Sequence, residues 1–326
     1  MTVRVSDAPL TDIGRTSYGI PCSKENHSRK YVLITPAHNE ESYIEKSIRS
    51  VVSQTLTPAE WIIVSDRSTD RTDKIIEKYA ADYDFIKLVK LPPAQGRDFA
   101  SKVKAVTAGW RSISVGDYKY IGNLDADVSF APDYYESVIR LFEKEEKLGL
   151  AGGVILELIG TRYIKQMSSS NSVAGAVQLF RRKCFEEIGG YIPIKFGGED
   201  SVAEITARMK GWEVKAVDEL EVHHHRRVSG SAGLMKARFR NGISHYQLGY
   251  NLTFQLASTL YRMADRPFII GSLLTFFGYS WASIKRFERP VSSKFIQYLE
   301  TEQSSRLRAI LNLKPSSNVT IRGQKC

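Results

Sequence analysis

Four short apolar runs, at residues 31–35, 61–64, 86–89 and 118–124, constrain the fold of this chain more than any other feature. Each stops at polar or acidic residues. The first is followed by Tyr43, Ile44, Ile48, Val51 and Val52 at helical spacing. The second precedes a helix reaching Tyr79, with Asp70 or Ser68 as its cap. The third precedes a helix over residues 99–110. A parallel return needs a long crossover, usually a helix, and such crossovers are right-handed. The expected fold class is therefore α/β, a Rossmann-like, mostly parallel sheet flanked by helices.

Further on, the pattern predicts a helix over residues 134–147, strands at 150–156 and 176–181, and a flexible loop at 168–171. A short helix at 184–188, a helix ending at Met209, and strands at 212–217 and 220–225 follow. No Gly-X-Gly-X-X-Gly follows the first run and no Walker loop occurs, which argues against a dinucleotide cofactor or a P-loop. Cys22, Cys184 and Cys326 are too few and too far apart for a disulfide framework or a zinc spacing, which fits a reducing compartment. Residues 1–29 are polar and aperiodic, a flexible arm with no secretory signal.

Several strand ends carry groups able to do chemistry. The fourth run ends in Asp125-Ala126-Asp127, two carboxylates where α/β sheets place ligands. Such a pair suits Mg²⁺ or Mn²⁺ sharing its shell with substrate phosphates, although Asp127 can equally cap the helix that follows. Asp66 can accept a hydrogen bond from a base or ribose, or cap the next helix. Arg97 can reach a diphosphate, since guanidinium matches phosphate oxygens. Gly197-Gly198 before Glu199-Asp200 permits close approach of a ligand. In a strand, His223 and His225 face one way and His224 the other.

Taken in order, Pro36-Ala37-His38-Asn39-Glu40, Ser65-Asp66-Arg67-Ser68-Thr69-Asp70, Asp125-Ala126-Asp127 and Gly197-Gly198-Glu199-Asp200 resemble the motifs of family 2 inverting glycosyltransferases, across residues 30–230. The resemblance implies a GT-A catalytic domain using a divalent metal and a nucleotide sugar, UDP-linked, in polysaccharide biosynthesis. It implies that Asp66 reads the uracil, that Pro36, Asn39 and Glu40 flank the nucleoside, and that Asp125 approaches the ribose. It further implies that Asp127 ligates the metal, with His224 completing the shell, and that Asp200, beside Glu199, is the general base. Ser65 and Arg67 depart from the usual acidic and glycine residues of that turn. Two alternatives stand beside this reading: a nucleotidyltransferase acting on a sugar phosphate, and a non-catalytic nucleotide-sugar-binding scaffold.

The basic excess is confined to the end of the chain. Residues 223–326 hold 16 Lys/Arg against 4 Asp/Glu, whereas the rest holds 30 against 32. No RNA-binding or recognition-helix motif accompanies this charge, so an anionic membrane surface is the expected partner and nucleic acid is not. Residues 268–284 contain no charge and include Tyr279 and Trp281, typical interfacial residues. Cations precede and follow this stretch, which sets no orientation but suits an element lying in or dipping into one leaflet. A basic helical extension over 231–326, with the active site at the cytoplasmic face of a membrane, is the expected arrangement. A spanning segment and a core helix are the competing readings. The acceptor is then a glycan or lipid-linked molecule of cell-surface glycan synthesis.

Overall fold

The computed structural model describes residues 29–92, 100–166, 169–226, 231–264 and 269–310. The flexible arm expected at 1–29 lies almost wholly outside the described residues, as do Arg97 and Arg227.

Strands β1 (Tyr31–Ala37), β2 (Glu60–Ser65), β3 (Ile86–Lys90) and β4 (Tyr120–Asn123) alternate with helices α1 (Ile44–Val52), α2 (Thr72–Asp82) and α3 (Ala100–Arg111). Then come β5 (Val128–Phe130), α4 (Tyr134–Lys144), β6 (Leu148–Ile159), β7 (Arg162–Lys165) and β8 (Leu179–Arg181). The chain continues through α5 (Arg182–Ile188), α6 (Glu199–Met209) and β9 (Glu213–His224). Helices α7 (Ser231–Gln247), α8 (Leu252–Tyr261), α9 (Ile270–Ile284) and α10 (Ser293–Ile310) end it, with a 3₁₀ turn over Arg262–Ala264.

The sheet runs β3-β2-β1-β4-β8-β6-β9-β5, with β7 beside β6. β1 to β4 pair in parallel, as the crossover helices require. The expectation of a mostly parallel sheet fails beyond β4, because β8 is antiparallel to both β4 and β6. Chain returns without a helical crossover explain this: β6, β7 and β8 follow one another with no helix between them. The fold is a mixed α/β sheet. The strand expected at 176–181 keeps regular pairing only over Leu179–Arg181, and the helix expected to reach 147 stops at Lys144. The strands expected at 212–217 and 220–225 are one strand, β9, with a register shift against β6 between Gly153 and Val154. Gly153 permits that shift, since a side chain there would meet the Leu220 carbonyl.

Apolar residues fill both faces of the sheet. One layer joins Tyr31, Leu33, Trp61 and Ile63 to α1 and α4. The other joins Val32, Ile34, Ile62 and Val64 to α3, α5 and α6. Alternate residues of β1 and β2 thus serve opposite layers, as strand pleating dictates. A third cluster packs Phe295 and Leu299 of α10 on Val202 and Ile205 of α6, tying the C-terminal helices to the sheet domain. Among the described residues no helix is long and apolar enough to cross a membrane. α9 instead lays its buried Gly271, Ser272, Gly278 and Ala282 inward and leaves Ile270, Leu273, Phe277, Trp281 and Ile284 exposed.

Candidate active site

The carboxyl ends of β1, β2 and β4 open into a cleft of about 180 Å³ that is open to solvent. Pro36, Glu40, Asp66, Asp125 and Asp127 line it, together with His38, Lys102 and Arg226. Asn39 does not. It adopts a left-handed backbone (φ 53°), its amide oxygen accepts the Thr69 N–H at 2.8 Å, and its own N–H reaches Ser68 Oγ at 3.2 Å. This residue ties the loop after β1 to the loop after β2. His38 joins the same loops, donating from Nδ1 to the Asp66 carbonyl at 2.6 Å. Asp70 is the residue that caps α2, accepting the Thr72 N–H at 3.0 Å. Asp66 is therefore left to line the cleft, where Arg67 meets its carboxylate at 2.7 Å.

Two groups of carboxylates meet here, each built around one cation. In the first, Arg226 bonds Asp127 at 2.8 Å and Glu40 at 2.5 Å, with its guanidinium over the Tyr43 ring. His224 Nε2 lies 3.2 Å from the same Asp127 oxygen. β9 makes this possible: it pairs with β5 so that His224 sits opposite Val128, the residue next to Asp127. Strand alternation then points His224 at Asp127, while His225 bonds Ser129 and Tyr163 on the other side. Asp127 does not cap α4.

Charges follow from these contacts. Burial would raise the Asp127 pKa, but the His224 and Arg226 hydrogen bonds and charges outweigh it and hold the carboxyl below its usual range. The Asp127 hydrogen bond holds the His224 imidazole above its usual value. Burial pushes Glu40 up to about 7, with Arg226 opposing and Asp127 and Asp125 adding to the rise.

In the second group, Lys102 on α3 bonds Asp125 at 2.8 Å. Burial alone would lower its pKa, but Asp125, Glu199 and Asp200 outweigh that and keep the ammonium charged. Glu199 is raised by burial, with Lys102 opposing and Asp200 assisting. Asp200 opens α6 and accepts the Ser201 N–H at 2.8 Å. A Cβ at Gly175 would stand 2.7 Å from Asp200 Oδ2, so only glycine leaves that carboxylate its place. The Glu199–Asp200 pair lines a small chamber with Asn123, Tyr191 and Gly175, and Lys102 forms the wall shared with the main cleft.

Sequence reasoning thus placed Pro36, Glu40, Asp66, Asp125, Asp127 and His224 in or against one cleft, with Glu199 and Asp200 next to it. It missed Lys102 and His38. A signal for Lys102 exists: it lies three, four and seven residues before Ala105, Val106 and Gly109, a charge on the stripe of α3 that packs on the sheet.

Asp127 and His224 form a carboxylate–imidazole pair suited to an ion that takes O and N donors, such as Mn²⁺. Among the described residues no third His, Cys, Asp or Glu completes a cage. The pair therefore suits a metal whose remaining ligands are substrate oxygens and water.

The family model of glycosyl transferase family 2 matches residues 32–207, more than half of the chain. The chain belongs to glycosyl transferase family 2. Among curated family relatives, the poly-beta-1,6-N-acetyl-D-glucosamine synthase of Staphylococcus epidermidis is 30% identical over 47% of this chain and 39% of its own length. The uncharacterized glycosyltransferase YibD of Escherichia coli K12 is 29% identical over 36% of this chain and 31% of its own. The chain thus spans about a third to two-fifths of the length of these relatives. Among solved structures, a mannosyltransferase from Pyrobaculum calidifontis, in complex with GDP-Man and Mn²⁺, superposes with a TM-score of 0.52 at 16% identity, covering 87% of this chain and 83% of that one. GalNAc-T7, with UDP, GalNAc and Mn²⁺, gives 0.55 at 14% identity over 88% and 58%. At these identities the likeness is one of fold, and that fold is GT-A.

Proposed function

We propose that this family 2 protein is an inverting glycosyltransferase that moves a sugar from a nucleoside diphosphate sugar, UDP-linked, to an acceptor hydroxyl or phosphate. One observation carries the reading: Glu40, Asp66, Asp125 and Asp127 converge from three strand ends on one cleft, and Glu199–Asp200 stands across Lys102 from it. Asp66 sits at the end of β2, where a base or ribose hydrogen bond is available, and Asp125 lies farther along the same edge. Asp127 and His224 would hold Mn²⁺ or Mg²⁺, which when bound supplies Lewis-acid neutralisation of the departing diphosphate. Arg226 and Lys102 place fixed positive charge on the same side, where the leaving group gains charge.

The reaction forms a bond between the acceptor oxygen and the anomeric carbon while the bond from that carbon to the diphosphate breaks. A hydroxyl acceptor passes its proton to Asp200, whereas a phosphate attacks as the oxyanion with no proton to transfer, and attack opposite the leaving group inverts the centre. Glu199 stands next to Asp200 as a second carboxylate lining the same chamber as Lys102.

The acceptor we assign is glycan or lipid-linked, reached at the cytoplasmic face of a membrane on which α8 and α9 rest. The exposed apolar stripe of α9, with Lys285, Arg286 and Arg289 just after it, supports this docking. Asp200→Asn tests the transferase reading: turnover should fall at least a hundredfold while nucleotide binding persists. Unchanged turnover sinks it. A thermal-shift screen of UDP- and GDP-sugars, with and without Mn²⁺, identifies the donor by the largest stabilisation.

A further inference from the structure

A second cleft lies far along the chain from the carboxylates, between α7, α8, the Arg262–Ala264 turn and α9. It is an open recess with about 350 Å³ of empty space that merges with solvent, and every described residue that lines it is polar. That is unusual within a helical bundle that exposes several large apolar side chains, because polar side chains gathered in one recess need a reason. Part of the polarity is internal. His245 Nδ1 bonds Gln255 Oε1 at 2.8 Å, Thr259 Oγ1 donates to the Gln255 carbonyl at 2.7 Å, and Thr275 Oγ1 donates to the Gly271 carbonyl at 3.0 Å. Burial pushes His245 down to about 4, so it is neutral at physiological pH. Arg238 and Arg262 bring positive charge to the cleft, and among the described residues no carboxylate lines it. Across residues 231–284 the sequence holds five Lys/Arg and a single acid, Asp265, which lies outside the described residues. Asn241, Ser258 and Ser272 add donors to the same recess.

The surroundings narrow the ligand. Leu260 and Tyr261 come directly before Arg262 and are 66% and 74% exposed; Ile269 and Ile270, at the start of α9, are 53% and 56% exposed. A cationic, donor-rich recess rimmed by exposed apolar side chains matches a molecule with an anionic head and apolar chains. Two guanidinium groups with hydroxyl and amide donors suit a dianionic phosphate best.

We propose that this cleft binds the terminal phosphomonoester of a membrane amphiphile, with its chains lying along the apolar stripes of α8 and α9. The site lies on the helix that also touches the catalytic machinery. Ser244, next to His245 on α7, donates to the Gly197 carbonyl at 2.6 Å, and a Cβ at Gly198 would meet the same hydroxyl. A ligand seated on α7 is therefore one contact away from the loop that presents Glu199 and Asp200.

The inference rests on the membrane-facing reading of α8 and α9, and the test separates the two. The full-length protein is floated with phosphatidylcholine vesicles carrying phosphatidic acid, or carrying phosphatidylglycerol at matched surface charge. Phosphatidic acid vesicles should bind at least fivefold better. Arg262→Gln should abolish that preference, whereas Lys285→Gln, which removes one charge outside the cleft, should keep it. Circular dichroism melting of both variants confirms that the fold is intact. Equal binding to the two vesicle types, or equal effects of the two substitutions, overturns the cleft as a headgroup site while leaving membrane docking standing. Failure to bind either vesicle removes the docking reading. In that event, inorganic phosphate raising the melting temperature of the wild type but not of Arg262→Gln would mean a soluble phosphomonoester occupies the cleft, and no such difference would end the proposal.

Discussion

At the scale of single residues, the charges of the site are set by neighbours more than by side-chain type. Lys102 faces three carboxylates, so replacing it with Met leaves Asp125, Glu199 and Asp200 repelling one another. Lys102→Met should lower kcat/KM by at least tenfold, measured by steady-state transfer with the donor found by thermal shift. Glu204 is a second test. It is 4% exposed, accepts the Val173 N–H at 2.6 Å, and burial raises its pKa to about 8, with Asp200 adding to the rise. A raised acid stabilises the fold fully below its unfolded value and loses that contribution as pH climbs toward the folded one. Glu204→Gln, which keeps an acceptor oxygen, should thus have little advantage at pH 5 and gain on the wild type by up to about 5 kcal/mol at pH 9, at about 1.4 kcal/mol per pKa unit. Urea melts at the two pH values measure it, and parallel curves would count against a protonated Glu204. These environments explain the limits of sequence reasoning. Asp66, Asp125 and Asp127 were legible because strand ends are legible. Lys102 and Glu204 look like ordinary helix charges until the tertiary fold buries them.

At the scale of elements, the best-read parts were those with a period. β1 to β4 and their helices follow from short apolar runs and helical stripes. β8 was overextended, because Asn123 and Asp125 donate to the Gln178 and Ala176 carbonyls without regular pairing, a feature no residue pattern announces. The helices α7 and α9 depend on glycine for a different reason. A Cβ at Gly278 would strike the Phe239 carbonyl, and one at Gly242 the Thr275 carbonyl, so the two backbones touch at their crossing. Gly278→Val should separate the helices and cost about 1–3 kcal/mol, the usual penalty of overpacking. Limited proteolysis should then cut within 231–284 before the sheet domain, and unchanged protection would argue against the close crossing.

At the scale of the molecule, charge is segregated. A near-neutral sheet domain carries the cleft, and a strongly basic helical end carries exposed apolar side chains. Replacing Phe277 and Trp281 with Glu should reduce binding to anionic vesicles by tenfold or more, since each large side chain contributes about 1.5–3 kcal/mol when fully buried. Nucleotide affinity in solution should stay the same, and raising salt should release the wild type as well. The direction of the last strand has a consequence for synthesis. His224 meets Asp127 across 97 positions of chain, on a strand that is the final one in the sheet. Everything the cleft needs from β1, β2 and β4 leaves the ribosome long before β9 does. A nascent chain can therefore fold its parallel half and still lack the His224 that meets Asp127. Mn²⁺-dependent nucleotide capture should switch on only once β9 has left the ribosome, which ribosome-stalled chains ending before and after β9 would reveal. In the cell this would tie substrate binding to completion of the sheet.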